Sequence, residues 1–387
     1  MLEKQNNSKP IRILQVLTIM NRGGAETMVM NYYRNVDTTK VQFDFLLHRQ
    51  EKGVFDDEIE SLGGKIYRLS SINFKNLSKY KKELDYFFKN NHYDIIHSHL
   101  NALSIFVLQA AKNNNIPVRI AHSHTSLYRV NLNPFSKNRH SLDFIFKFFA
   151  QNFFKLKIKK YANHYFACGL KAGKWLFGTK VNFTIINNAI DASKFSYNEK
   201  IALSIKKELG IEGKKVIGHV GNFVPEKNHP FLIDVFKAFK KIQDDTVLLL
   251  VGGGNISPIQ NLAIQMNIAD DVHFLGVRND VIDLLQAIDL FVFPSTNEGL
   301  PVTLIEAQAA GLKIIASDEI SQELKITDLI HFISLKETTE LWAKKILNEL
   351  YYDRENTNEM IIKGGYDIKS NAKLLQEFYI SELQKNP

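Results

Sequence analysis

The chain has 387 residues, too many for one hydrophobic core of ordinary size, so two domains are expected. Its 45% apolar and 23% charged residues are typical of a globular protein, and no apolar run approaches the roughly 18 residues of a membrane-spanning helix. The polar segment from Met1 to Pro10 lacks the apolar centre of a secretory signal, which predicts a cytoplasmic protein. The one cysteine, Cys168, excludes an internal disulfide and a cysteine-built metal site.

The net charge of +8 is confined to one segment. Nine lysine or arginine residues and a single aspartate lie between Lys137 and Lys174, and the rest of the chain is neutral on balance. Six phenylalanines interleave with the lysines of this segment. Such a segment suits an anionic membrane surface, and it equally suits a helix that packs its phenylalanines onto its own domain. A charge confined in this way does not indicate nucleic-acid binding.

Short β-branched segments alternate with amphipathic ones, which is the pattern of parallel sheets covered by helices on both faces. In the first half, the predicted strands are Ile11 to Leu17, Phe43 to Leu47, Lys65 to Tyr67, Ile95 to His97, Val118 to Ala121, Tyr165 to Ala167 and Phe183 to Ile186. The predicted helices are Glu26 to Asn35, Leu77 to Asn90, Ala102 to Asn113 and much of Ser141 to Tyr161.

The same pattern restarts in the second half of the chain. Its predicted strands are Val216 to Val220, Val247 to Val251, Val272 to Phe274, Leu290 to Phe293 and Ile314 to Ala316. Its predicted helices lie near Pro230 to Lys241, Val281 to Ala287 and Val302 to Ala310. The fold class is therefore α/β, with two doubly wound Rossmann-like domains, 1–190 and 191–365, and a C-terminal helix within 366–387 that packs back on the first domain.

Ligands of doubly wound sheets bind beyond the carboxyl ends of the strands, so two such domains are expected to face each other across a binding cleft. The first strand leads into Gly23 and Gly24, followed by a helix with Glu26 in its first turn. Free amides at a helix N-terminus favour an anion such as phosphate. The same residues also fit a plain tight turn.

Two His-x-His pairs follow the fourth and fifth strands, His97 with His99 and His122 with His124. Alternation along an extended chain places both histidines of a pair on one side. Zinc is disfavoured, because no nearby cysteine or carboxylate completes a ligand spacing. A histidine that faces a sugar and a histidine that satisfies loop carbonyls both remain open for each position.

In the second half, Asn222 and Lys227 follow the first strand, and Lys227 is a compact cation suited to a diphosphate. Three glycines follow the next strand, where the backbone can approach a ligand closely. Gly276 and Val277 follow the third strand and form a candidate cradle for a planar base.

The most informative segment runs from Phe293 to Ala307, where a strand ends and a Gly-Leu-Pro turn leads into a helix. Pro301 suits the first position of that helix, and the amides of Val302 and Thr303 can hold phosphate oxygens. Glu298 before the helix and Glu306 inside it place two carboxylates around one anion site. The remaining predicted contacts in the turn are Gly299 and Leu300.

In combination, these motifs resemble the retaining glycosyltransferases of the GT-B fold in the glycogen-synthase-like group, glycosyltransferase family four, particularly the bacterial enzymes of capsule and exopolysaccharide synthesis. Glu298 and Glu306 match that group's Glu-x7-Glu motif. The other matches are Asn222 to Lys227 with the Arg/Lys motif, Gly23 to Glu26 with the first loop, His99 with the histidine after the fourth strand, Asn188 to Asp191 with the interdomain motif and Gly276 to Asp280 with the base-binding turn. The resemblance extends from about Ile11 to Ala316.

The sequence departs from the family pattern at two positions. Asn222 stands where the family usually has arginine, which removes one fixed cation from the diphosphate site. The loss of one charge-assisted contact costs on the order of 1.5 to 3 kcal/mol. Ala189 replaces the hinge glycine, a milder change.

The resemblance implies transfer of a hexosyl unit from a UDP-sugar to a glycan or polyprenyl-linked oligosaccharide, with retention of configuration. It assigns the chemical step to Lys227, Glu298 and His99, with Glu306 on the ribose and His122 and His124 as acceptor-side candidates. No Asp-x-Asp follows a strand, so no metal cofactor is expected. Two other activities remain open, a sugar-nucleotide epimerase and a non-catalytic subunit of the same fold.

Overall fold

The computed structural model describes residues 9–72, 76–124, 142–298 and 300–385, with only the backbone described for 142–148. It divides into two compact units, Met1–Ala189 together with Ile368–Pro387, and Ile190–Asp367. Each unit contains one parallel sheet with helices in the connections between strands. The α/β class with two doubly wound sheets is confirmed.

The first unit has a seven-stranded parallel sheet in the order β3-β2-β1-β4-β5-β6-β7. Its strands are β1 (Ile11–Leu17), β2 (Val41–Leu47), β3 (Ile66–Arg68), β4 (Ile95–Ser98), β5 (Val118–Ser123), β6 (His164–Ala167) and β7 (Thr184–Ile185). Its helices are α1 (Gly24–Tyr33), α2 (Asp56–Ser61), α3 (Leu77–Asn90), α4 (Ser104–Asn113), α5 (Leu142–Ile158), α6 (Leu170–Phe177) and the C-terminal α14 (Ile368–Lys385).

Strand alternation divides the core of this unit into two layers. Ile13 and Leu17 of β1 pack on the face that α1 and α14 cover. Leu14 and Val16 pack on the opposite face, with α3 and α4. Since both faces of β1 are covered, most of its residues are apolar, and Arg12 and Gln15 are the two polar exceptions.

The second unit has a six-stranded parallel sheet in the order β10-β9-β8-β11-β12-β13. Its strands are β8 (Lys215–Val220), β9 (Thr246–Val251), β10 (Val272–Gly276), β11 (Leu290–Phe293), β12 (Ile314–Ser317) and β13 (Ile330–Ile333). Its helices are α7 (Glu199–Glu208), α8 (His229–Lys240), α9 (Ser257–Gln265), α10 (Val281–Ala287), α11 (Val302–Ala309), α12 (Thr339–Glu349) and α13 (Asn358–Lys363).

In each unit the order in which successive strands are added to the sheet reverses beside a central strand. Successive strands run from β1 through β2 to β3 on one side, and β4 then pairs with the other edge of β1. Likewise β8 lies between β9 and β11. Connections on the two sides of such a point leave the sheet on opposite faces, which opens a crevice at the carboxyl ends of the strands. The predicted motifs follow the strands that flank these two points.

The strand predictions agree with the structure to within about two residues, except for β13, which was not predicted. Ile330–Ile333 is an edge strand, and three of its four residues are only partly buried. Its short run, Ile-His-Phe-Ile, therefore lacks the strong apolar signal of a central strand. Within the described ranges, no helix is long and apolar enough to cross a membrane.

The packing of α14 on the first unit gives a testable prediction. Leu375 is 3% exposed and lies in the core with α1, whereas its neighbour Leu374 is 64% exposed. Leu375→Ala should destabilise the first unit by about 2 to 5 kcal/mol, because it removes buried methylene groups and leaves a cavity. Thermal unfolding followed by calorimetry measures the effect. Leu374→Ala is the matched control, and equal destabilisation by both variants would contradict the packing of this helix.

Candidate functional site

The carboxyl ends of β8 and β11 carry two loops that are tied to each other. The Thr296 amide donates to the Glu226 carbonyl at 2.8 Å. The side-chain amide of Asn228 donates to the Pro294 carbonyl at 3.2 Å, from a left-handed backbone conformation with φ of 56°. These bonds bring the predicted cation Lys227 next to the predicted carboxylate loop.

Lys227 and Glu298 form an ion pair. Nζ of Lys227 lies 2.7 Å from Oε1 of Glu298, and it also lies over the ring of Phe293, 4.5 Å from the centroid. The stem of the lysine passes Gly221, where an added Cβ would lie 3.0 Å from Cε of Lys227. Glycine at position 221 therefore leaves the space that the lysine needs to reach the strand ends.

Several buried polar atoms at this end of the sheet have no hydrogen-bond partner among the described residues. They are Oγ1 of Thr303, Oγ of Ser295 and Nε2 of both His219 and His229. Oε1 of Glu298 lies in the same place, with the ammonium of Lys227 as its ion-pair partner. Buried polar groups are nearly always hydrogen bonded in folded proteins, so such a concentration indicates a binding site for a polar ligand.

Glu306, the second predicted carboxylate, lies one turn inside α11. The residue keeps some exposed surface, but the protein around its carboxyl raises the pKa to about 7. Among the described residues, no group donates a hydrogen bond to this carboxyl. Hydroxyl groups of a ligand would supply the donors that a carboxylate in this position lacks.

The first amides of α11 have no hydrogen-bond partner among the residues that the structure describes. Pro301 is the residue before the helix and provides no side-chain cap for Val302 or Thr303. These amides, with the helix dipole, suit phosphate oxygens. Leu300 is buried beside the turn, at 6% exposure. Gly299, also predicted to contact the ligand, lies outside the described residues.

Asn222 has an identified structural partner. Its side-chain oxygen accepts a hydrogen bond from the Gly253 amide at 3.0 Å. Gly252 and Gly254 adopt φ values of 155° and 119°, which residues with a side chain rarely adopt. Asn222 thus holds the three-glycine loop after β9. The sequence predicts Asn222 as a donor-binding residue in the place of an arginine and gives no sign of this contact.

The turn that is predicted to hold the base lies at the end of β10. Gly276 has φ of 65°, and its carbonyl accepts a hydrogen bond from Gly252 at 2.9 Å. Val277 is 64% exposed and lies beside Gly253. The guanidinium of Arg278 pairs with Asp280 and Glu208, which fixes the turn.

In the first unit, α1 begins at Gly24, as the glycine motif predicts. The carboxyl of Glu26 folds back towards Gly23, and burial raises its pKa. The N-terminus of this helix, the candidate anion site, therefore has an acidic side chain of the same chain beside it.

The four histidines at the ends of β4 and β5 form two stacked pairs that are linked by hydrogen bonds. The rings of His97 and His99 stack at 4.3 Å between centroids, and those of His122 and His124 stack at 4.1 Å. Between the stacks, Nε2 of His97 lies 3.0 Å from Nδ1 of His122, and Nδ1 of His99 lies 2.7 Å from Nε2 of His124. Alternation along the strands has placed all four on the face of the sheet that carries α14.

Two further side chains complete this network, and neither is among the residues that the sequence predicts for the site. Nδ1 of His97 lies 2.6 Å from the hydroxyl of Tyr379 on α14. Nε2 of His99 lies 2.9 Å from the side-chain oxygen of Gln15 on β1. A glutamine inside the apolar run of β1 was the available signal, whereas nothing in the sequence pointed to Tyr379.

Burial keeps these histidines neutral. It lowers the pKa of His124 to about 3 and the pKa values of His97, His99 and His122 well below their usual range. Nitrogen atoms of His97, His99 and His122 lie within 4.8 Å of one another, a spacing that a metal ion could use. His97 and His122 already satisfy one another by a hydrogen bond, and Nε2 of His122 has no partner among the described residues.

Two known protein families cover most of this chain between them. Residues 22–194 match the family described as Glycosyltransferase Family 4. Residues 202–366 match the family described as Glycosyl transferases group 1. The first match lies in the first unit except for its last five residues, and the second match lies in the second unit.

Individual relatives match over nearly the whole chain. The putative glycosyltransferase EpsF of Bacillus subtilis is 36% identical, with 98% of this chain and 99% of EpsF covered. The capsular polysaccharide biosynthesis glycosyltransferase CapH of Staphylococcus aureus is 27% identical, with 96% and 99% covered. An Escherichia coli enzyme named UDP-Gal:alpha-D-GlcNAc-diphosphoundecaprenol alpha-1,3-galactosyltransferase is 25% identical, with 88% and 89% covered.

Solved structures share the fold at lower identity. HepE of Anabaena, determined with UDP and glucose, superposes with a TM-score of 0.74 at 16% identity, with 96% of this chain and 100% of HepE covered. The sucrose-phosphate synthase of Thermosynechococcus elongatus gives a TM-score of 0.75 at 16% identity, with 97% and 100% covered. These likenesses establish the GT-B fold for this chain.

The raised pKa of Glu306 predicts how the stability of the unliganded protein depends on pH. A glutamate with a pKa of about 7 in the folded state and 4.5 in its ordinary state opposes folding once it ionises, so stability is lost as the pH rises from about 4.5 to 7. Glu306→Gln removes this loss. The variant should gain on the order of 2 kcal/mol over the unmodified protein at pH 8 and little at pH 5.

Thermal unfolding of both proteins at pH 5 and pH 8 measures this difference. Glu212→Gln, at an exposed position of the second unit, is the control and should show the same small effect at both pH values. A Glu306→Gln gain that is equal at pH 5 and pH 8 would show that the carboxyl is ionised normally.

Proposed function

This chain belongs to the glycosyltransferase family, and from this premise we propose that it transfers a hexosyl unit from a UDP-sugar to a hydroxyl group of a glycan or polyprenyl-linked oligosaccharide, with retention of anomeric configuration. The product would enter a surface polysaccharide. The observation that carries the proposal is the set of unpartnered buried polar atoms around Lys227 at the carboxyl ends of β8 and β11. A nucleotide-sugar supplies both the anion and the hydroxyl groups that these atoms require.

Departure of UDP is the demanding step, because negative charge develops on the leaving diphosphate. Lys227 and the free amides at the start of α11, those of Val302 and Thr303, would stabilise this charge. They are fixed before the substrate arrives, by the loop hydrogen bonds and by the packing of the lysine stem against Gly221. Such preorganised groups act without reorienting during the reaction.

The two carboxylates are assigned to donor binding. Glu306 would accept hydrogen bonds from the ribose hydroxyls, and Glu298 from hydroxyls of the donor sugar. Glu298 is paired with Lys227, which suits a binding group better than a nucleophile that attacks the anomeric carbon. We therefore favour attack by the acceptor on the face that UDP leaves, without a glycosylated enzyme. A glycosylated peptide that contains Glu298 would refute this route.

The nature of the donor and acceptor is supported by named relatives. The Escherichia coli relative is named for transfer from UDP-galactose to a diphosphoundecaprenol-linked sugar. A Campylobacter jejuni relative, 26% identical over 59% of this chain, is also named for a diphospho-undecaprenol-linked substrate. HepE was determined in complex with UDP-glucose. By analogy, we propose a UDP-sugar donor and a polyprenyl-linked acceptor for this chain.

A polyprenyl-linked acceptor resides in a membrane, and α5 carries a surface suited to one. Phe149, Phe153 and Leu156 are 56%, 53% and 74% exposed and recur at the spacing of one helix face. Nζ of Lys157 lies 4.3 Å from the ring centroid of Phe153. Apolar side chains beside lysines favour the headgroup region of an anionic bilayer.

The same helix also has an inward face. Phe154 packs edge-on against Phe106 at 5.0 Å, and Ile158 is fully buried. Part of the Lys137 to Lys174 segment therefore packs onto its own unit while another part stays exposed. Residues 137–141 and the side chains of 142–148 lie outside the described residues. We propose peripheral association with the inner face of the cell membrane through the exposed face.

A UDP-release assay tests the activity. The unmodified protein should release UDP from one or more members of a panel of UDP-sugars when membrane lipid extract supplies the acceptor. Lys227→Met should lower kcat/KM by roughly 100-fold or more, because it removes the cation at the leaving group. Lys241→Met, at an exposed position just after α8, is the control and should leave the rate unchanged.

The assay also separates the other hypotheses. Formation of an epimer without acceptor would indicate an epimerase, and binding of UDP without any transfer would indicate a non-catalytic subunit. We propose that the reaction needs no divalent metal, so treatment with EDTA should leave the rate unchanged. Reversible loss of activity on chelation would refute metal independence.

Flotation with anionic liposomes tests the membrane proposal. Changing Phe149, Phe153 and Leu156 to Ser should lower the bound fraction several-fold, as should changing Lys155, Lys157, Lys159 and Lys160 to Gln. Leu203→Ser is the control, because Leu203 is 60% exposed on α7 of the second unit. Equal binding by the unmodified protein and both multiple variants would exclude this helix as the membrane surface.

A further inference from the structure

Three of the histidines on β4 and β5 bring ring nitrogens close enough to share one ion. One nitrogen each of His97, His99 and His122 lies within 4.8 Å of the others. His97 and His99 come from one His-x-His pair and His122 from the other, and the pairing of β4 with β5 brings the two pairs side by side. Either pair alone offers two ligands, so the spacing in the sequence disfavours zinc. The folded sheet supplies the third ligand.

The three side chains have the chemistry that a transition-metal ion requires. A histidine binds a metal through an unprotonated ring nitrogen. Burial lowers the pKa values of His97, His99 and His122 well below their usual range, so each ring is neutral near pH 7 and carries one lone pair on nitrogen. Imidazole suits zinc, nickel and copper, whereas magnesium prefers oxygen ligands. Three histidines with an open fourth position are a set that zinc accepts.

Groups around the cluster hold the rings as the outer contacts of a metal site do. A metal-bound histidine donates its other ring N–H to a fixed acceptor. Nε2 of His99 lies 2.9 Å from the side-chain oxygen of Gln15, which only accepts, so the lone pair is on Nδ1. Nδ1 of His97 lies 2.6 Å from the hydroxyl of Tyr379, which can accept from it and leave Nε2 for a metal. Nε2 of His122 is fully buried and has no partner among the described residues.

A metal ion would replace two hydrogen bonds between rings. Nε2 of His97 lies 3.0 Å from Nδ1 of His122, and Nδ1 of His99 lies 2.7 Å from Nε2 of His124. Hydrogen bonds between neutral groups contribute little net free energy, whereas metal–imidazole bonds are much stronger, so the exchange favours the ion. His99 and His124 remain 6% and 9% exposed where the strands end, which gives an ion a path from that edge of the sheet.

We propose that His97, His99 and His122 form a binding site for a transition-metal ion such as Zn²⁺, and that the bound ion inhibits the enzyme. The inhibition rests on the proposed function, because the family resemblance assigns His99 to the chemical step. An ion that takes the lone pair of His99 removes this side chain from contact with substrate. The metal-free protein is then the active form, in keeping with the metal independence proposed above.

Titration of the metal-free, full-length protein with Zn²⁺ tests the site by calorimetry. Binding should saturate at one equivalent, and Mg²⁺ should give no saturable binding. His97→Asn removes one ligand and should lower the affinity for Zn²⁺ by about 100-fold or more. His92→Asn is the matched control, because the side chain of His92 is 90% exposed, and it should leave the affinity unchanged. Equal loss of affinity in the two variants would overturn the site.

A second variant keeps the site testable if His97→Asn does not fold. Tyr379→Phe preserves the packing of the ring and removes the acceptor of the His97 N–H, so the affinity for Zn²⁺ should fall by about 10- to 100-fold. Tyr33→Phe is its control, since Tyr33 is buried in the same core and its hydroxyl bonds to the Leu62 carbonyl instead. An affinity for Zn²⁺ that neither His97→Asn nor Tyr379→Phe lowers would overturn the proposal.

Cobalt reports the ligands directly, because Co²⁺ takes the place of zinc and absorbs visible light. A four-coordinate ion on imidazole nitrogens should give strong visible absorption that saturates at one equivalent and is lost in His97→Asn. The weak absorption of a six-coordinate, hydrated ion would contradict binding at these histidines. This measurement needs no substrate and no turnover.

The UDP-release assay tests the inhibition. One equivalent of Zn²⁺ above the protein concentration should lower the rate of transfer at least 10-fold, and EDTA should restore it. His97→Asn should keep most of its own metal-free rate under the same conditions. Saturable binding of Zn²⁺ with an unchanged rate would refute the inhibition. Failure of any UDP-sugar to turn over refutes the proposed function, whereas the zinc and cobalt titrations decide the metal site independently.

Discussion

Parallel strands end at the same edge of a sheet, and this constraint determines where chemistry can occur in both units. Each sheet has a central strand, β1 or β8, beside which the order of the strands reverses. The polar side chains that follow the flanking strands meet at that point even though they are far apart in the sequence. Lys227 and Glu298, separated by seventy-one positions, become an ion pair in this way.

The two sheet ends satisfy their polar groups differently. At the end of β8 and β11, several buried polar atoms have no partner among the described residues, and the carboxyl of Glu306 is surrounded by protein without a donor. At the end of β4 and β5, the histidines bond mainly to one another and to Gln15 and Tyr379. The first arrangement suits the recognition of a ligand rich in polar groups. In the second, hydrogen bonds within the protein already occupy most of the polar atoms and fix their positions.

The sequence predicted every strand except β13 and placed the motifs at strand ends, because apolar runs and glycine turns are local signals. It did not predict the partners of those motifs. Gln15 and Tyr379 are 364 positions apart and meet only because α14 packs on the first unit. The orientation of α5 was equally undetermined, because phenylalanines that pack inward, such as Phe154, and those that stay exposed, such as Phe153, give the same helical pattern.

Asn222 stands where the family usually has arginine, and it changes the charge of the site while keeping a hydrogen bond to the neighbouring loop. Its side chain holds the three-glycine loop through the Gly253 amide, so the position keeps a structural contact although it has no charge. Lys227 is then the cation in direct contact with Glu298, and this pair is close to neutral before a donor binds. The proposed diphosphate would therefore meet little net positive charge from these two side chains, and the amides of α11 would contribute a larger share of the attraction than they would beside an arginine. Because amide dipoles act over a short distance, the affinity of such a site for phosphates would depend more on close fit than on long-range attraction.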